Sequence, residues 1–222
     1  MNETTKTKKL WSDLERSIFS GKGIDIGCGP DPVTKDVQHF DFEHGDANHI
    51  TKYVREEFDF VYASHCLEHM HEPRKAILEW WQLVRVGGHL CFIVPDEDLY
   101  EQGVFPSRFN PDHKATFTIS KQNSWSPVSI NVLDLVSSLP NGQIVKLYLQ
   151  DQGYDRTLLK HGADTSNCFD RLALRVFSLI KRRTRISLPI LERTLEKRKI
   201  VDQTLRPNTL AQIQCIVKKL AF

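Results

Sequence analysis

The first residues in this chain whose types and spacing could do chemistry are Asp25-Ile26-Gly27-Cys28-Gly29-Pro30. Two glycines one residue apart let a backbone turn sharply and approach a ligand, because a Cβ at either position would stand in the way. At the end of a buried parallel strand, such a turn lies at the carboxyl edge of the sheet, where open α/β folds bind small molecules. Taken alone, the pattern is equally that of a tight turn. Asp41 closes the next apolar run, where a carboxylate accepts from paired ribose hydroxyls. In Gly45-Asp46-Ala47, the Asp46 carboxylate can accept from an exocyclic amine such as that of adenine, and Ala47 leaves room for a ring. The third glycine of a dinucleotide-binding GxGxxG loop is replaced by Pro32, which disfavours a nicotinamide or flavin.

Cysteine and histidine point elsewhere. The five cysteines are scattered, without CxxC spacing, which argues against a disulfide framework or a structural zinc site and fits a reducing cytoplasm. Of nine histidines, His65, His69 and His71 are close together, but Pro73 starts a helix only after His71, so no HxxxH pair shares a helical face. No metal is expected.

The elements that must position these residues follow from periodicity. Leu10, Trp11, Leu14, Ile18 and Phe19 predict a covering helix, and Gly23 to Ile26 the first strand. A second strand, Val37 to Phe42, follows with only seven residues, Pro30 to Asp36, between it and Gly29, too few for a helical crossover. Phe58 to Ser64 reads as a buried strand, with His65-Cys66-Leu67-Glu68-His69 turning off its end. Pro73 opens a helix with Ala76, Ile77, Trp80, Trp81 and Val84 on one face; Gly87-Gly88 stops it, and His89 to Val94 returns as a strand. This βαβ unit predicts a right-handed parallel crossover. Residues 97–125 lack periodicity and read as a binding loop; Ser126 to Val136 reads as a helix, Gln143 to Gln150 and Leu210 to Val217 as the last strands.

The 222 residues suit a single domain of net charge +2, with no apolar run long enough to span a membrane and a polar start unlike a signal sequence. Segment 155–208 carries thirteen Lys and Arg against six Asp and Glu. Within it, residues 166–185 predict a basic amphipathic helix, read as packing on the core or on a second copy of the chain in a homo-oligomer, or as peripheral contact with an anionic membrane. Nucleic acid is not expected, since no exposed aromatics interleave this patch.

Three blocks in order, Asp25 to Pro30, Phe58 to Val61 with Ser64 to His69, and Leu83-Val84-Arg85-Val86-Gly87-Gly88-His89-Leu90, resemble the class I S-adenosylmethionine-dependent methyltransferases over about residues 20–97. Val86 stands where that family commonly has proline. Residues 95–103 and 108–114 are similar to segments of bacterial methyltransferases of surface-polysaccharide synthesis. The resemblance implies an α/β, Rossmann-like, doubly wound, mostly parallel sheet with an antiparallel last strand; the chain departs from the family in the compressed region 30–50, which gives the abbreviated first crossover, and carries a helical insertion at 155–208 before the last strand. It implies that Gly27, Cys28 and Gly29 lie against the methionine and ribose of S-adenosylmethionine, with Asp25 near the methionine amino group. Asp41 would then take the ribose, Phe42, Asp46 and Ala47 the adenine, and Ser64 with His65 the floor of the site.

The expected reaction is methyl transfer to a sugar or glycan hydroxyl, in the cytoplasm or at the inner face of the membrane. A weakly acidic hydroxyl calls for a base, and His65, Asp96 and His113 are the candidates. Glu68 and His69 read as the loop's own hydrogen-bonding pair. A quinone-type or other small-molecule acceptor and a noncatalytic scaffold with this fold are the other readings open to the sequence.

Overall fold

All four residues of the first strand, β1 (Gly23–Ile26), are buried. A strand covered on both faces has no reason to alternate in polarity. In the computed structural model, which describes residues 3–162 and 200–221 with Phe169, Leu172, Ala173, Arg175, Val176 and Leu179, this strand is one from the edge of a six-stranded sheet. With β2 (Gln38–Phe40), β3 (Phe58–Ser64), β4 (Val84–Pro95), β7 (Gly142–Gln150) and β8 (Gln212–Lys219), the order is β2-β1-β3-β4-β8-β7. The pairs β1–β2, β1–β3 and β3–β4 are parallel; β8 runs antiparallel to both β4 and β7. The antiparallel last strand and the mostly parallel sheet agree with the sequence reading.

Two apolar layers cover the sheet. On one face, Val61, Ala63, Leu90, Phe92, Val94, Ile213 and Cys215 pack with Ile77 and Trp80 of α3 (Pro73–Gln82) and Leu135 of α4 (Val132–Ser137). On the other, the alternate residues Phe60, Tyr62, Cys91, Ile93 and Ile216 meet Ile18, Phe19, Val33 and Val37.

Several elements differ from expectation. The N-terminal helix is two, α1 (Glu3–Lys8) and α2 (Asp13–Ile18), broken where Ser12 and Glu15 form a capping box. Strand β2 spans Gln38–Phe40 alone, and between it and β3 the chain makes one short 3₁₀ segment, Ala47–Lys52. No helix forms across the first crossover. The Gly87-Gly88 pair does not end α3, which stops at Gln82; it lies inside β4. There the β3–β4 register shifts, and a Cβ on Gly88 would stand 2.8 Å from Asp59 O and 3.0 Å from Phe58 O. The pair is a bulge that needs close backbone approach, so a helix-stop reading of two glycines was the wrong one. The 97–131 segment also holds order: a wide turn at Glu97–Glu101 and two short parallel strands, β5 (Thr116–Thr118) and β6 (Ser129–Asn131), the latter where a helix was expected. The predicted basic helix 166–185 lies largely outside the described residues. Among those described, no helix is long and apolar enough to cross a membrane.

Gly88→Ala should lower stability by about 2 kcal/mol in urea unfolding, since backbone oxygens surround the added methyl. A change within a few tenths of a kcal/mol would mean the bulge relaxes freely.

Candidate functional site

The carboxyl edge of β1 and β3 carries the site. Gly27 and Gly29 adopt φ of 74° and 50°, conformations that suit glycine, and a Cβ on Gly27 would lie 2.8 Å from Cys66 Sγ. Gly29 has open space where its Cβ would be, so its backbone is bare toward the cleft. Asp41 clamps the loop from the end of β2: its carboxylate accepts from Gly29 N at 3.1 Å and from the Cys28 thiol at 3.3 Å. Burial, with Asp25 and Asp41 beside it, pushes the Cys28 thiol up to about 12, so it stays protonated.

Two cavities open on either side of this loop and share Gly27, His65 and His69. The larger, about 770 Å³, is bounded by Asp41, Phe42, Asp46, Ala47, Cys66 and Met70. Phe42 is fully exposed, an apolar ring with its face unspent. Asp46 Oδ1 accepts from Asn48 N at 2.9 Å and from Asn48 Nδ2 at 2.8 Å, which holds its carboxyl below the usual range. The smaller, about 270 Å³, is walled by Gly29, Ser64, Glu68, Tyr100, Asn110, His113 and Gln212, with Glu3 and Thr4 from α1.

Eight cofactor residues expected from sequence, Gly27, Cys28, Gly29, Asp41, Phe42, Asp46, Ala47 and Ser64, thus line one or both cavities, as do His65 and His113. Two do not. Asp25 is fully buried beneath the loop, its Oδ2 accepting from Val33 N at 2.6 Å, so it shapes the crossover and is not turned toward either cavity. Asp96 is turned back on its own chain: Oδ1 accepts from Leu99 N at 3.0 Å and Asp98 N at 3.2 Å, starting the Glu97–Glu101 turn. Burial pushes its carboxyl up to about 6. A short carboxylate after a strand caps the next turn when free N–H groups follow, and Asp96 serves that use outside both cavities.

The polar wall is built around Glu68, which is fully buried. Its carbonyl accepts from Lys114 N at 2.8 Å, and this contact brings His113 beside it from a distant segment. His113 Nδ1 bonds Glu101 Oε1 at 2.7 Å and its Nε2 stands 4.0 Å from Glu68 Oε1. His65 holds a left-handed φ of 53°, strained for a side chain with a Cβ. Its Nε2 contacts Gln212 Oε1 at 2.9 Å and its Nδ1 lies 3.3 Å from Glu68 Oε1. Burial alone would depress the His65 imidazole; Glu68 outweighs that and holds it up at about 9. Burial pushes Glu68 up, but His65, His113 and His69 outweigh it and keep the carboxyl below its usual range. The expected Glu68–His69 pair does not form: His69 Nδ1 bonds Asp112 Oδ2 at 2.9 Å. Glu101, Gln212, Glu3 and Thr4 were not anticipated. Only Glu101 lay in a segment singled out by resemblance; the others show no local signal, because tertiary packing alone brings them here.

Residues 29–92 match a family model described as a methyltransferase domain. Over that segment the chain is similar to a methyltransferase domain. A solved S-adenosylmethionine-dependent methyltransferase from Archaeoglobus fulgidus aligns over 99% of this chain and 95% of its own, at 14% identity and a TM-score of 0.51. Coclaurine N-methyltransferase, solved with N-methylheliamine and SAH, aligns over 97% of this chain and 70% of its own, at 10% identity and a TM-score of 0.50. At such identities the likeness establishes the fold. No curated protein matches the sequence.

Burial raises the Asp25 carboxyl from near 3.8 to about 7, despite the hydrogen bond from Val33. The folded protein therefore holds a proton that the unfolded chain releases, and stability falls as pH rises from about 4 to about 7. Asp25→Asn keeps an acceptor for Val33 and removes that loss. Its stability relative to wild type should rise by on the order of 3 kcal/mol between pH 4.5 and pH 8; a pH-independent difference in urea unfolding would contradict a buried, protonated Asp25.

Proposed function

We propose that this domain transfers a methyl group from S-adenosylmethionine to a hydroxyl of a sugar or glycan intermediate. When bound, S-adenosylmethionine supplies a methyl carbon on a sulfonium, open to in-line displacement. The residues of the larger cavity suit it: glycine backbone at Gly27, acceptors at Asp41 and Asp46, a free ring at Phe42, and a volume within the usual range for such ligands.

The observation that carries the acceptor assignment is the polarity of the smaller cavity. Glu3, Thr4, Ser64, His65, Glu68, His69, Asn110, His113, Thr204 and Gln212 all line it. A hydroxylated acceptor finds hydrogen-bond partners along that wall, whereas a quinone-type acceptor would leave them unmatched. Gly27 and Gly29 hold the donor end of the cleft and the polar wall orients the acceptor oxygen toward it, which supplies near-attack geometry. His113, oriented by Glu101, stands at the wall where the hydroxyl proton must go.

Calorimetry should show one S-adenosylmethionine bound per chain and none in Gly27→Arg, whose side chain has no room against Cys66. With labelled cofactor and a panel of nucleotide sugars and lipid-linked sugars, His113→Ala should lower turnover roughly 10²- to 10⁴-fold while leaving cofactor affinity unchanged. Label passing to quinols and to no sugar would replace the acceptor class; a well-folded protein that binds no cofactor would remove the enzyme reading.

A further inference from the structure

How the polar wall handles a hydroxyl depends on what else it holds. Glu68, His69 and His113 each offer one ligand atom, and these atoms lie within 4.8 Å of one another. Both imidazoles have spent Nδ1 on a carboxylate, His69 on Asp112 at 2.9 Å and His113 on Glu101 at 2.7 Å. That leaves Nε2 as the ligand atom of each, with the ring orientation fixed from behind, as the supporting carboxylates of metal-bound histidines do.

The second observation is Glu68 itself. Its side chain is completely buried and neither carboxylate oxygen accepts a hydrogen bond. The His65 contact at 3.3 Å lacks hydrogen-bond alignment and is electrostatic. His65 meets Oε1 only, and a buried carboxylate whose second oxygen, Oε2, has no hydrogen-bond partner is costly unless a cation reaches it.

We propose that Glu68, His69 and His113 bind one divalent transition-metal ion at the inner wall of the smaller cavity. Two imidazoles and one carboxylate suit zinc, cobalt or manganese better than magnesium or calcium, which prefer all-oxygen sites. Bonds of about 2.0–2.2 Å place donors on one ion about 3–3.5 Å apart, so the cluster closes by about an ångström. Three protein ligands leave positions facing the cavity. The metal's role, though not its binding, rests on the methyl-transfer reading: an ion held by His113 Nε2 would take over from that imidazole, polarising the acceptor hydroxyl so that its proton passes to solvent in the cavity.

The test uses the full chain, stripped with chelator and dialysed, then equilibrated with Co²⁺ or Zn²⁺ and analysed for bound metal, with Co²⁺ visible absorption as a ligand-field signature. One equivalent should bind, and affinity should fall at least roughly tenfold in His69→Ala and Glu68→Gln but not in His71→Ala. The partly exposed His69 keeps the test informative if Glu68→Gln does not fold. Absence of saturable binding to folded wild type, or equal affinity in His69→Ala, overturns the inference. S-adenosylmethionine calorimetry on the same preparation separates the two claims: cofactor binding without metal sinks the metal site alone, and metal binding without cofactor sinks the methyl-transfer reading alone.

Discussion

The site depends on one awkward group, the carboxylate of Glu68, placed in the protein interior at the edge of the sheet. A charge there is tolerable only beside a positive neighbour, and His65, held protonated by the same carboxylate, provides one. The same residue also anchors backbone, its carbonyl receiving Lys114 N and so pinning the 97–131 segment against the turn that leaves β3. Electrostatics and chain path are therefore tied at a single position. The backbone at position 68 tethers His113 and the Glu68 carboxylate faces its Nε2, beside His69, with the two rings 5.0 Å apart.

Behind this wall the sheet is polar where it could have been apolar. Gln212, on the strand inserted between β4 and β7, reaches His65 on one side, and donates to Thr7 Oγ1 at 2.9 Å and Gln150 Oε1 at 2.6 Å on the other. Gln150 donates in turn to Gln214 at 3.2 Å. A chain of mutually satisfied amides holds His65 in its strained backbone conformation, the kind of network whose value lies in fixing one geometry.

What the sequence made legible was whatever rests on local pattern. The apolar runs of β1 and β3, Pro73 at the start of α3, and the glycine loop with its acid at Asp41 could all be read in order. So could the compressed crossover, because seven residues and two prolines between Gly29 and Val37 leave no room for a helix. Asp25 and Asp96 lie off both cavities for one reason: an acid beside a binding loop looks like a ligand contact, and only three dimensions show whether an unpaired N–H, here Val33 or Leu99, claims it first. Gly87-Gly88 misled because glycine marks both a helix end and a strand bulge. The His69–His113 pairing was invisible, since their separation is set by a long segment folding back and not by any repeat.

The N-terminal helix has a role its polarity concealed. Thr5 N donates to Asp31 at 2.8 Å, next to the glycine loop, while Lys6 Nζ reaches Thr204 O at 2.5 Å across the cleft, with Glu3 and Thr4 lining the cavity between. Residues 3–8 thus form a strap that joins the two rims of the site. Any molecule larger than the cavity must thread past this strap or extend beneath it, so what can enter the cleft is governed by six residues that contribute almost nothing to the hydrophobic core.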